Sequence, residues 1–575
     1  MLVKLQERGL SLSPPADRRA LLRRATFDLI GLPPTPEDVE EFVNDPAPDA
    51  FDRVVERLLE SPHYGERWGR HWLDLARYVD DVVPNPAVPP IYLYNWQYRD
   101  WVVSALNRDL PFDRFVQQQI AGDLMPELAT EPFNADGLTA TGVLGIGEWS
   151  QLDGDRKRVV CDLVDDQIRF VSRVFMGVSV GCARCHDHKF DPITNHDYYA
   201  LAGMFFSTRV VDTVGGFGAQ PKMLVVPIDD PVVVDKRRDW ERQVAELTAI
   251  VTKLKSDAAA ATSDETKAPI QAELTLKEAN LALLNAAPAP DFLATHAAQD
   301  GGHPDTEWNT ISDTRVQIRG SYARLGDVVP RRLPTVFAGE SQAPLTQGSG
   351  RRQLAEWLAR PDHPLTSRVM VNRIWLYHFG EGLVRTPGNF GKLGRAPSHP
   401  ELLDWLAVTF VESGWSIKAM HRLLMSSAAY QQSSRGSEET RKADPENVLL
   451  SRFPRRRLEV EALRDSLLAV SGTLDRTLGG PATLEAQHQR RMLYMHRYRQ
   501  SEPTIGGIRQ TFDAPDPKDT ADQRNESTVA PQALYLMNSP FVLQQAERLA
   551  ERTNAAAETD AARIDWLFRT VLARP

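Results

Sequence analysis

Apolar residues recur every three or four positions through the first 210 residues, the period of helices with one buried face. In "FDRVVERLLES", Phe51, Val54, Val55, Leu58 and Leu59 share one stripe. "DRRALLRRATFDLIGL" has the same spacing and ends at Gly31, Pro33 and Pro34. "PTPEDVEEFVND" then opens on a proline turn with acidic first-turn residues, which suits a helix N-terminus. Aromatic-rich helices follow in "YGERWGRHWLDLARYVD", "YNWQYRDWVVSALNRDL" and "FDRFVQQQIAGDL", and the prolines of 84–90 predict a loop. Residues 156–177 predict a long amphipathic helix with Cys161 as a small buried hydrophobe. "NHDYYALAGMFFS" predicts another, with Asn195 as its N-cap.

Past residue 207 the period changes. "TRVVDT" and "KMLVVPI" are short β-like runs. Residues 233–286 are rich in Ala, Leu, Glu and Lys with a polar break in the middle, predicting a helical hairpin with coiled-coil-like packing. "TRVQIRG" and "RRLPTVF" predict extended segments, and "RMLYMHRYR" a strand. From Arg351 the helical period returns, from "RRQLAEWLAR" and "SRVMVNRIWLYHF" through to "ARIDWLFRTVL". The expected fold is mainly α: two helical lobes joined by a helical-hairpin insertion and a small β-containing segment. The expected domains are 1–215, a variable middle at 216–349, and 350–575.

Composition narrows the classes. A chain of 575 residues can bury several cores. Its net charge of −10 argues against nucleic acid as a partner, because phosphate neutralisation needs a basic face. No apolar run is long enough to cross a bilayer. "MLVKLQERGLSLSPPADRR" has no signal-peptide core and reads like a helix lacking its first turn, and "LFRTVLARP" stops just past a helical pattern. The expectation is therefore an incomplete chain.

Two of the three cysteines sit in "GCARCHDHKFDP", residues 181–192. Cys-x-x-Cys-His is the attachment signature of haem c. Thiols two residues apart reach the two vinyl groups of one porphyrin, and the adjacent imidazole comes under the iron as proximal ligand. Cys182, Cys185 and His186 are the candidates, with Met204, His71, His378 and His496 open as a sixth ligand. His71 is expected to bond Asp74 one turn on, and His378 to sit at a helix C-terminus. Two rivals stay open. The cysteines with His186, His188, Asp187 or Asp191 form a donor set for zinc, calcium or another non-haem metal, and Cys182 and Cys185 suit a disulfide or a plain turn. Two basic clusters, Arg452, Arg455, Arg456 and Arg457, then Arg490, Arg491, Arg497 and Arg499, are expected as salt-bridged surface. The sharper alternative is an anion site for haem propionates or an acidic sugar.

"ATFDLIGLPPTPEDVEEFV", "ERWGRHWLDLARY", "VGCARCHDHKFDPITNHDYYALAGMFFSTR", "RRQLAEWLARPDHPLTSRVMVNRIWLYHFGEGLVRTPGNFG" and "STVAPQALYLMNSPFV" resemble the planctomycete-type cytochrome c-like proteins. These pair an N-terminal cytochrome-like domain with a C-terminal domain, both of unknown function. The resemblance implies export to the periplasm or cell surface and an association with polysaccharide breakdown. Three functions follow as expectations: a c-type haem protein in electron transfer or oxidoreduction with an unidentified redox partner or substrate, a non-haem metal protein acting on carbohydrate, or a scaffold docking through its hairpin.

Overall fold

The computed structural model describes residues 1–83, 90–129, 134–149, 153–216, 220–229, 231–261, 263–286, 293–483, 488–500 and 507–575. Most of the loop expected at 84–90 lies outside them. The protein is mainly α, with 55% helix and 6% strand, and what strand there is forms two-stranded antiparallel ladders.

Local chemistry explains the helix boundaries. Asp17 accepts from the amides of Arg19 and Ala20 to start the helix Arg18–Ile30, and Gly31 at φ 68° ends it in the left-handed conformation that glycine adopts without strain. Thr35 and Asp38 form a capping box at Pro36–Asn44, with proline in the first turn. Thr194 and Asp197 form another at Asn195–Phe206, so Thr194 and not Asn195 is the cap.

At the centre lies His63–Leu75, all thirteen residues of which are buried. Gly65 and Gly69 let Asn95–Asn107 pack against it. A Cβ at Gly65 would stand 2.2 Å from the Val103 carbonyl. One hydrophobic core takes residues from both ends of the chain. Trp72 meets Phe115 and Phe175, Phe112 meets Phe410, and Phe51 stacks on Tyr430 at 6.4 Å. The helices before residue 210 and those from residue 351 to residue 431 thus share one apolar interior, and Val460, Met492, Ile508 and Phe512 form a second, smaller cluster.

The predicted hairpin is present as Pro231–Ala260 and Asp264–Ala286. It rises from a ladder in which Val225–Pro227 pairs with Ala294–His296. Leu276 and Leu283 on it are exposed. Three expectations change. Only Thr314–Gln317 of the two extended runs is a strand, pairing with Leu325–Val329, whereas Pro334 caps a short helix at Thr335–Ala338. "RMLYMHRYR" folds as a 3-10 turn at Met492–Tyr494 followed by single bridges to Thr483 and Asp81, because its arginines turn inward to carboxylates rather than alternating along a sheet. His71 leaves Asp74 to Arg70 and Arg524 and stacks on Tyr377 at 3.8 Å.

Candidate functional site

The helix Arg156–Phe175 leads into the 3-10 turn Gly181–Arg184, and Asn195–Phe206 leads away. Both helices hold the turn. Asn195 donates through Nδ2 to the carbonyls of Ala183 at 2.6 Å and Arg184 at 3.2 Å. Arg184 pairs with Asp162 at 3.3 Å and Asp165 at 3.7 Å on the incoming helix, and Tyr198 donates to Asp165. The backbone of the turn is therefore fixed while its reactive side chains face outward.

Cys182 and Cys185 are free, exposed thiols. Gly320, at φ 73°, lies against the second: a Cβ there would come within 2.8 Å of Cys185 Sγ. His186 is also exposed, and its Nδ1 lies 2.8 Å from the Asp187 carbonyl oxygen. A carbonyl only accepts, so Nδ1 carries the proton and Nε2 keeps a free lone pair. That is the tautomer an axial ligand needs, since the hydrogen bond at one ring nitrogen sets which nitrogen can bind metal.

His188 and Asp191 are turned to folding. His188 Nδ1 accepts the Asp191 amide at 2.8 Å and stands 3.5 Å from its carboxylate. Asp191 Oδ1 accepts the Lys392 amide at 2.6 Å, and a Cβ at Gly391 would meet the same carboxylate at 2.5 Å. Asp187 accepts the Asn195 amide at 2.7 Å. The pair thus closes the loop after the motif and docks it on a loop about 200 residues later. Among the described residues no three His, Cys, Asp or Glu side chains are grouped as metal ligands. A cavity of about 310 Å³ opens beside the turn at Gly181, lined by Arg169, Arg173, Asn389 and Asp522 rather than by either cysteine.

The third cysteine is as expected. Cys161 is buried, accepts from Gln317 Nε2 at 3.3 Å, and is pushed up to about 12 by burial. Met204 is enclosed beneath Gly350.

Several residues acquire roles that the linear pattern conceals. His71, His378 and His421 gather around the Trp68 indole. His378 Nε2 lies 2.9 Å from His421 Nδ1, and His421 Nε2 lies 3.0 Å from the Tyr64 hydroxyl, all fully enclosed. The polar stripe of His63–Leu75 is matched by residues more than 380 positions away. Glu66 accepts from Arg491 at 2.9 Å and Tyr494 at 2.8 Å, Arg67 donates to Glu459 at 2.5 Å, and Asp74 accepts from Arg524 at 2.7 Å. Arg491 and Arg497, expected at the surface, are buried in this network, and Arg499 is buried beside it, donating to the Arg77 carbonyl at 3.3 Å. Its only trace in the sequence is a helix carrying too many charges for a position with no exposed face.

Two family models match the chain. Residues 1–210 match the family model PSCyt2, a protein of unknown function (DUF1549). Residues 350–575 match PSD1, a protein of unknown function (DUF1553). The chain carries both domains in that order. No curated protein and no solved structure matches it.

Proposed function

We propose that this chain is a c-type haem protein acting in electron transfer or oxidoreduction outside the cytoplasm. Cys182 and Cys185 are its thioether positions and His186 is its proximal ligand. The observation that carries the reading is the state of the motif: two free, outward-facing thiols beside an imidazole whose Nδ1 is held by a carbonyl. The space that Gly320 leaves at Cys185 Sγ supports it, since a larger residue would crowd that sulfur. When bound, haem iron supplies one-electron chemistry at the protein surface.

The chain's own part is positional. Asn195, Arg184 and Tyr198 fix the turn, so both sulfurs keep their places. Cys182 and Cys185 would hold the haem through thioethers, each S–H adding across one vinyl group with no leaving group and no oxidant. Asp187 holds His186 in the tautomer that leaves Nε2 free. Exposure of the motif favours a redox partner that approaches this face directly. The extracytoplasmic location follows from where such attachment chemistry takes place.

The test is expression together with c-type maturation machinery, followed by haem staining of a denaturing gel and a visible spectrum. A covalent haem band is expected for the native chain, and none when Cys182→Ala and Cys185→Ala are combined. His186→Ala is expected to keep the band and change the spectrum. A folded native chain with no covalent haem overturns the proposal, and so does stoichiometric zinc or calcium without porphyrin.

A further inference from the structure

A second cavity, of about 880 Å³, lies away from the motif and is built by both domains. Its walls are the helix Arg18–Ile30, the end of the helix Thr366–Phe379, residues 453–459 and residues 523–526. Seven arginines and five carboxylates line it, an excess of two positive charges in a chain whose net charge is −10.

The carboxylates are largely spent. Asp28 accepts from Arg456 at 3.0 Å and from the Tyr430 hydroxyl at 2.8 Å. Glu459 accepts from Arg67, Asp513 from Arg457 at 2.6 Å, and Glu526 from the Arg457 amide. Glu381 and Glu526 stand exposed, Glu526 holding only that backbone amide among the described residues.

The guanidinium groups are not spent to the same degree. Arg23 donates to the Val571 carbonyl at 3.2 Å, lies over the Phe27 ring, and has no carboxylate in contact among the described residues. Arg24 donates to the carbonyls of Tyr430 and Gln432 and stacks on Phe453 at 3.5 Å, again with no carboxylate in contact. Arg455 is exposed and makes no hydrogen bond or ion pair with any described residue. Arg457 keeps Nε and Nη1 buried and unpartnered. Burial lowers the pKa of Arg23 and of Arg24, the mark of cations whose lost hydration is not fully repaid. Unpaired buried donors and under-neutralised cations of this kind are stabilised by an incoming anion.

We infer that this cleft binds a small polyanion, a saccharide-sized ligand bearing at least two carboxylate or sulfate groups, through Arg23, Arg24, Arg455 and Arg457. Guanidinium forks match the paired oxygens of those groups. The volume is that of an organic ligand site and far exceeds one inorganic ion. Phe27, Phe453 and Phe512 are among the lining residues and add apolar surface to a wall otherwise built of charged groups. The charges come from Arg18–Ile30 on one wall and residues 453–459 on the other, so neither domain alone completes the site.

The test is titration calorimetry with four probes: a disulfated disaccharide, a disaccharide of uronic acids, their neutral counterpart, and inorganic sulfate. At least one charged disaccharide is expected to bind, inorganic sulfate about tenfold or more weakly, and the neutral sugar not at all. Which charged probe binds tells sulfate from carboxylate. Arg455→Ala, which removes no internal contact, is expected to weaken binding about tenfold at an unchanged melting temperature. Arg24→Gln is the second variant, expected to act in the same direction. The inference is overturned if no charged probe binds, if the neutral sugar binds equally well, or if both variants bind like the native chain. Haem attachment plays no part in this measurement, so the two proposals stand or fall separately.

Discussion

Gly320 shows how much the motif depends on a residue 135 positions beyond it. Its φ of 73° lies in the left-handed region, where a side chain costs about 1 kcal/mol, and a Cβ would also press on Cys185 Sγ at 2.8 Å. Gly320→Ala is therefore expected to lower stability by about 1–3 kcal/mol and to reduce haem incorporation. The first is read from urea midpoints and the second from haem per folded chain. Full incorporation in the variant would mean that Cys185 needs no such space. His188 and Asp191 teach the opposite lesson. In sequence they extend the donor set of the motif, yet in space their hydrogen bonds run to Asp191 and Lys392 backbone amides and serve to seat the loop. Residue type and spacing can propose chemistry only where the residues concerned lie within a few positions of one another, as Cys182, Cys185 and His186 do.

Among the elements, helix positions were readable because capping and apolar period are local properties. The stripe of Ala50–Glu60 and the proline-opened helix Pro36–Asn44 stand where their patterns place them. His63–Leu75 is the instructive exception. Its polar residues suggest a solvated face, but Arg491, Tyr494, Glu459 and Arg524 cover that face, and the helix has none to spare. Burying Glu66 and Asp465 is tolerable because Arg491 bridges them at 2.9 and 2.8 Å. The hairpin behaves differently, since it leaves and re-enters the body through the paired strands Val225–Pro227 and Ala294–His296, with the Ile228 amide bonded to the Leu293 carbonyl. Its ends are already joined. Replacing residues 231–292 by a short turn is expected to leave the helical body folded, with a melting temperature within about 5 °C of the native value by circular dichroism. A cooperative transition lost or lowered well beyond that would make the hairpin part of the core.

For the whole molecule, enclosure of so many polar groups sets the pH dependence. Of thirteen histidines, burial lowers His296, His303, His363, His399 and His488 to about 4. It lowers His71 and His421 well below their ordinary value, with Arg67 adding to the effect at His71 and His378 at His421. Unfolded histidines take up protons near pH 6.5. Between about pH 6.5 and 4 the unfolded chain therefore binds more protons than the folded one, and stability falls as pH falls. Each wholly enclosed histidine contributes on the order of 1.4 kcal/mol per pH unit in that window. Burial raises Asp166, Asp465 and Asp522, which offsets part of the loss nearer pH 4. Glu461 responds later. Burial would raise it, but Arg524 overcomes this and holds it at about 2, so its stabilisation persists until the pH drops below about 4. Urea midpoints are expected to be clearly lower at pH 5 than at pH 7, and a midpoint that rises or stays level would contradict this account.

By itself the sequence determined the helical class, the hairpin, the buried Cys161 and the Cys-x-x-Cys-His motif, because each depends on residues at most a few turns apart. Tertiary structure decided the rest. It placed Arg23 and Arg24 opposite Arg455 and Arg457, more than 400 positions away, and so made a cleft from clusters that separately resemble salt-bridged surface. It also turned Arg491, Arg497 and Arg499 inward and gathered three histidines around Trp68. The physical reason is that burial and charge pairing belong to the packing of distant segments, whereas periodicity, capping and motif spacing are already complete in the chain before it folds.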